Sequence, residues 1–191
     1  MSRLDLVVGP NGAGKSTFVE FVLAQTLPPR TRFVNADEIA TLHWPGAEPE
    51  HSYEAATIAA ETRDRLIRID QSFIAETVFS HPSKLDLIDQ ALAAGFTVKL
   101  HIIAIPAALA VARVRYRVAS GGHSVPPEKV LQRYDRLWPL VTEAIMRADS
   151  ADVWDNTRLT GPTRIAEFVG GLAVSAALWP AWIPTALRDL R

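Results

Sequence analysis

The 191-residue chain predicts an α/β fold, a parallel sheet flanked by helices, and three observations carry that prediction. Short apolar, β-branched runs alternate with segments of helical period. A glycine-rich loop, Gly9-Pro10-Asn11-Gly12-Ala13-Gly14-Lys15-Ser16-Thr17, follows the first such run in the pattern G-x-x-x-x-G-K-[ST]. Polar residues gather directly after the strands, where open α/β sheets collect their ligands.

The first predicted strand is Asp5–Val8, apolar after its opening carboxylate. The spacing of the glycines after it lets successive N–H groups curl inward toward phosphate oxygens. Lys15 then reaches the β- and γ-phosphates, Ser16 offers a hydroxyl to Mg²⁺, and a helix over Lys15–Gln25 adds the positive end of its dipole. The expected ligands are therefore ATP and Mg²⁺, with Gly9, Asn11, Gly12, Ala13, Gly14, Lys15, Ser16 and Thr17 as nucleotide contacts and Ser16 as metal ligand.

A second strand over Thr31–Asn35 is followed by Asp37 and Glu38, and a helix over Tyr53–Arg68 leads to a third strand, Ser72–Glu76, with Thr77 and Ser80 beyond it. A helix over Pro82–Ala94, a strand over Thr97–Ile105 and helices over Ala107–Ser120 and Pro127–Arg147 come next. Pro139 inside the last helix predicts a kink or break, because proline lacks the amide proton and crowds the preceding turn. A final strand, Asp152–Asp155, ends beside Asn156, whose amide would meet a nucleobase edge or make an ordinary turn. The whole reads as a P-loop NTPase of kinase-like architecture.

Composition bounds the alternatives. The chain is 48% hydrophobic and has no low-complexity linker, so residues 1–191 read as one domain with one core. A net charge of −1 advertises neither nucleic acid nor an anionic membrane as partner. Arginine outnumbers lysine sixteen to four, which suits bidentate phosphate recognition and equally a compositional bias. Without cysteine there is no disulfide, thiol catalysis or thiolate metal site, and a cytoplasmic setting is expected. Asp5 and the glycine loop stand where a signal peptide needs its apolar run. Phe168–Leu187 is uncharged for 20 residues, but Gly170, Gly171, Pro180 and Pro184 interrupt it, so residues 162–191 are expected to pack on the domain rather than cross a membrane.

Among nucleotide-binding classes, two fail on missing motifs. Ser120-Gly121-Gly122-His123 resembles the signature of ABC-type ATPases, yet the Asp-Glu pair that should follow four apolar residues downstream is absent from Leu137–Ile145. The guanine-reading Asn-Lys-x-Asp of GTPases is absent as well. Asn35-Ala36-Asp37, the segment Phe73–Ser80 with its Glu76-Thr77, and the segment Arg113–Pro126 with its Gly-Gly-His-x-Val-Pro occur in order. In that combination residues 3–160 resemble the zeta-toxin family and its P-loop kinase relatives.

The resemblance implies an ATP-dependent kinase that moves the γ-phosphoryl group to a hydroxyl, with a nucleotide sugar such as a UDP-N-acetylamino sugar as acceptor and an antitoxin on another chain as partner. It implies that Asp37 is the catalytic base, a position where Asp also suits a helix N-cap. It implies that Glu76, with Thr77 and Ser80 beside it, contacts the acceptor, with an indirect Mg²⁺ contact as the other role open to a carboxylate at a strand end. Glu61 approximately matches a further acceptor-site glutamate, or is an ordinary surface residue. Arg117 matches an arginine that clamps the transferring phosphate; Arg113 shares its helix face, and His123 and Arg133 are candidates for a second phosphate contact. Residues 113–127 would form a lid. The founding toxins carry an arginine shortly after the Glu-Thr segment, where this chain has Ser80 and His81. An antibiotic or simple-sugar kinase, and an ATP-dependent partner-binding module without metabolite turnover, are the alternatives to the same residues.

Overall fold

The computed structural model describes residues 1–29, 31–119 and 125–190. Five parallel strands form its centre: β1 (Arg3–Val8), β2 (Arg32–Val34), β3 (Phe73–Thr77), β4 (Thr97–Ala104) and β5 (Ser150–Asp155). Two antiparallel strands, β6 (Thr163–Val169) and β7 (Leu172–Ala173), extend the β5 side, giving the order β2-β3-β1-β4-β5-β6-β7. Because β1 lies between β3 and β4, the chain leaves its carboxyl end at the point where the winding reverses, and the crevice of a doubly wound sheet opens there.

The helices are α1 (Lys15–Phe18), α2 (Ala36–His43), α3 (Ser52–Arg68), α4 (Ser83–Ala93), α5 (Ala107–Ala119), α6 (Pro127–Arg147) and α7 (Thr185–Arg188). On one face of the sheet Leu4, Leu6 and Val8 of β1 stand in register with Val98, Leu100 and Ile102 of β4. The amphipathic α6 buries Val130, Tyr134, Leu137, Trp138, Val141, Ala144 and Ile145, a stripe at three- and four-residue spacing. The Tyr134 hydroxyl donates to the Ile105 carbonyl at 3.0 Å, and burial pushes its pKa up to about 12.

The opposite face carries a buried polar ladder. His101 Nε2 lies 2.8 Å from Asp5 Oδ1, Arg3 also donates to Asp5, and Lys99 pairs with Asp152 at 2.8 Å. Burial alone would raise the Asp5 pKa, but the hydrogen bonds and charges of His101 and Arg3 hold it below the ordinary value. Phe18 covers this ladder, its ring 5.6 Å from His101 and 5.2 Å from Trp154.

Several elements differ from the sequence expectation. The first helix stops at Phe18 and widens into a π turn over Val19–Leu23, closed by Ala24 N–H donating to Val19 O at 2.8 Å; the wider turn keeps Val19 and Leu23 both in the core. The α2 helix, expected only as the alternative in which Asp37 caps a helix start, turns a short apolar face of Ala36, Ile39 and Ala40 to the core, with Ala40 alone fully buried. The α6 helix runs unbroken through Pro139. Pro139 and Asp135 are both exposed, so water can reach the Asp135 carbonyl that the missing amide leaves unpaired. The segment 162–191 packs on the domain partly by joining the sheet, a detail the sequence did not disclose: β6 and β7 occupy its first part, Val174 N–H and Leu178 N–H donate back to β6 carbonyls, and Ile183 and Leu187 reach the core. No helix among the described residues is long and apolar enough to cross a membrane.

Candidate active site

The glycine loop joins β1 to α1 at the centre of the sheet, and its shape is imposed by close backbone contacts. A Cβ on Gly9 would stand 2.4 Å from the Ile103 carbonyl oxygen of β4. Gly14 has φ +85°, and a Cβ there would meet Asn156 Nδ2 at 2.7 Å. That amide donates to Ala13 O at 2.8 Å, and Arg113 Nη2 donates to Asn156 O at 3.0 Å. Asn156 and Arg113 therefore brace the loop from behind. The expected contact of Asn156 with a nucleobase competes with this bond, since the amide nitrogen already serves Ala13.

Lys15 is buried, and its ammonium folds back to Pro10 O at 3.2 Å. Burial lowers its pKa, the carboxylates of Glu76 and Asp37 act against that, and the charge of Arg117 adds to it. The charges of a carboxylate from β3, a carboxylate from α2 and the exposed Arg117 guanidinium of α5 thus act on the same lysine. Glu76 Oε1 is 3.8 Å from Lys15 Nζ, and Glu76 Oε2 accepts from Ser16 Oγ at 2.8 Å and from Asn35 Nδ2 at 3.0 Å. Glu38 sits close by: burial and then the Glu76 charge raise its pKa.

The Ser16 proton is committed to Glu76, which leaves the oxygen lone pairs to meet a cation. A hydroxyl beside a carboxylate fits Mg²⁺, which binds few protein oxygens and fills its shell with phosphate and water. Among the described residues no group of three His, Asp or Glu forms a cation cage of its own.

Other expected residues fall less centrally. Asp37 occupies the first turn of α2 and is exposed, and the helix cap is Asn35, whose Oδ1 accepts from Asp37 N–H at 2.8 Å. The cap role considered for Asp37 is thus taken by the residue two positions earlier, leaving its carboxylate free of that duty. Glu61 is exposed on α3, and Arg133 is half-buried on α6. Thr77 Oγ1 accepts from Phe79 N–H at 3.3 Å, and buried Phe79 holds φ +59°, a strained conformation between Thr77 and Ser80. His123 and the glycines before it lie outside the described residues, and of the expected lid over 113–127 the first part, through Ala119, belongs to α5 and Pro127 opens α6. Asn35 stands among the polar residues after β2 and in the Asn-Ala-Asp motif, but the sequence assigned it no role, although a polar residue closing β2 before Ala-Asp-Glu carries a helix-start signal.

A family profile described as an AAA domain matches residues 4–140. The chain belongs to that family. This AAA domain shares its fold with AvrRxo1-ORF1:-ORF2 crystallised with ATP, at TM-score 0.70 and 16% identity over 91% of this chain and 60% of that one. The chain therefore spans well under two thirds of that protein's length. A structure of the PezAT chromosomal toxin-antitoxin system of Streptococcus pneumoniae matches at TM-score 0.65 and 13% identity, covering 87% of this chain and 72% of that one. A putative kinase from Chloroflexus aurantiacus matches at TM-score 0.56 and 22% identity, covering 70% and 76%. No curated protein matches the sequence. At these identities the likeness is one of fold, and the AAA domain found here has the kinase-like, zeta-toxin-like architecture that the motifs implied.

Proposed function

We propose that the protein is an ATP-dependent phosphotransferase of zeta-toxin type, moving the γ-phosphoryl group to the hydroxyl of a small metabolite. The observation that carries this reading is the cluster at the glycine loop, where Glu76 meets Ser16 at 2.8 Å and Lys15 at 3.8 Å and Asn35 ties it to the first turn of α2, with the charges of Asp37 and Arg117 also acting on Lys15. Phosphoryl transfer needs a cradle for the phosphates, a carboxylate for the acceptor proton and positive charge on the γ-oxygens, and these residue types supply all three.

In this reading the loop N–H groups and Lys15 hold the phosphates, and Arg117 neutralises charge that builds on the transferring group. Asp37, exposed and free of the capping bond, accepts the proton of the acceptor hydroxyl. Glu76 takes the metal side rather than the acceptor side, because both its oxygens already face Ser16, Asn35 and Lys15. When bound, Mg²⁺ supplies charge neutralisation between the β- and γ-phosphates. Thr77, Ser80 and Glu61 are left to read the acceptor, and Ser80 with His81 in place of an arginine points away from a strict copy of the nucleotide-sugar pocket. ATP in one fold relative supports the donor, and the partner chains in the AvrRxo1 and PezAT structures favour a protein partner here too.

The test is incubation of the protein with γ-labelled ATP and a metabolite extract. Asp37→Ala should lower transfer by about 10²- to 10⁴-fold while ATP affinity stays near wild type. A fully active Asp37→Ala protein would remove Asp37 as base, and protein capture without any labelled metabolite would replace the kinase reading by a binding module.

A further inference from the structure

Asn35 is 6% exposed, sits at the carboxyl end of β2, and uses both ends of its amide. Its Oδ1 accepts from Asp37 N–H at 2.8 Å and its Nδ2 donates to Glu76 Oε2 at 3.0 Å. That same Glu76 oxygen accepts from Ser16 Oγ at 2.8 Å. A continuous run of hydrogen bonds therefore links the first turn of the helix bearing Asp37 to the hydroxyl of the glycine loop, and Asn35 is its middle member.

Few side chains can fill that place. The bond to Glu76 needs a donor and the cap needs an acceptor, and an amide offers both on one planar group. Aspartate would keep the cap but set a carboxylate against Glu76, with Glu38 also near. Serine would keep the cap but lacks the reach to Glu76. The cap alone is thus satisfied by several residues, whereas the bridge is not.

We propose that Asn35 is a positioning residue, which orients Glu76, and through it the Ser16 hydroxyl, toward the metal side of the nucleotide while fixing the helix that presents Asp37. The inference rests on the kinase reading. Its mechanism follows from the bonds: Ser16 aims its lone pairs by giving its proton to Glu76, and Glu76 can receive it in one direction only if something holds the carboxylate still. Lys15 stands 3.8 Å from the other oxygen, an ion-pair distance that attracts the carboxylate without fixing its direction, so on Oε2 Asn35 is the directional anchor. Groups that orient a metal-binding side chain from behind are commonly worth 10- to 100-fold in affinity or rate.

The experiment measures ATP affinity by calorimetry in EDTA and again in Mg²⁺, with thermal melting, for wild type, Asn35→Ser and Asn35→Thr, two uncharged variants that cannot bridge to Glu76. Both variants keep a good helix cap, so their melting temperatures should stay within a few degrees of wild type. Affinity in EDTA should be unchanged, while the tightening brought by Mg²⁺ should shrink by about tenfold. In turnover measured with Mg²⁺, KM for ATP should rise in step with that lost tightening. Variants that respond to Mg²⁺ as wild type does overturn the proposal. A loss of melting temperature accompanied by an equal loss of affinity in EDTA also overturns it, because Asn35 would then serve folding alone. Wild-type protein that does not bind ATP at all defeats the kinase reading instead, a result distinct from either.

Discussion

Around Gly14 the chain is held by backbone and neighbouring strands, whereas around Asp37 it is held by a side-chain amide and by a short helix packed on α3. On the nucleotide side, Gly9 abuts the Ile103 carbonyl, Asn156 grips the Ala13 carbonyl and Arg113 grips Asn156. On the side proposed for the acceptor, Asp37 and Glu61 are exposed and Asn35 is the cap of a helix that buries a single residue. The contrast teaches how such a fold divides its labour. A triphosphate presents the same oxygens to every enzyme and is met by fixed backbone geometry, while an acceptor is chosen by side chains that can change without disturbing the sheet.

Four substitutions probe that contrast, in descending order of effect. Gly9→Ala drives a Cβ into a backbone carbonyl that cannot step aside, and should cost about 3 kcal/mol of stability or more by urea unfolding, with nucleotide binding lost alongside. A stable Gly9→Ala protein that binds ATP would show the nucleotide side to be softer than its contacts imply. Gly14→Ala meets a movable side chain instead of backbone, so its cost should be smaller, about 1–3 kcal/mol, mostly from the left-handed backbone. The pair Gly14→Ala with Asn156→Ala should be less damaging than the sum of the two single changes, and strict additivity would mean that Asn156 is not what the new methyl strikes.

The third change concerns the ladder beneath the loop. The Asp5 carboxyl is held below its ordinary value, so the folded protein binds that proton less readily than the unfolded chain does. Its contribution to stability is complete above the ordinary carboxylate value of about 3.9 and disappears as pH falls through the lowered value. Asp5→Asn should therefore flatten the fall in urea midpoint below about pH 4, and an unchanged slope would assign acid unfolding to other carboxylates. Glu61→Ala should be the mildest, within about 0.5 kcal/mol of wild type in stability, with any effect confined to KM for the acceptor. A rise in KM for ATP would place Glu61 on the wrong side of the cleft.

The same division governs what the sequence discloses. The loop, the parallel strands and the amphipathic α6 are legible because phosphate binding and core burial impose local patterns, glycines at set spacing and apolar residues at set periods. α2 is hard to read by periodicity because it is short and fully buries only Ala40, and β6 carries Arg164 and Glu167 among its apolar residues, so its strand character depends on pairing with β5. Glu76 reads as a polar residue at a strand end, but its turn toward Ser16 and Asn35 joins residues 60 and 41 positions away, which no local pattern encodes. Asn156 is the reverse case: its position is plain and its role is not, since loop and strand meet across 143 residues.

The two rims of the sheet have a consequence for the protein in a crowded solution. β2 offers three residues of ladder and β7 two, one at either extreme of a seven-stranded array. A stray strand from another molecule would find almost no backbone register to extend, so the sheet resists growing sideways into aggregates.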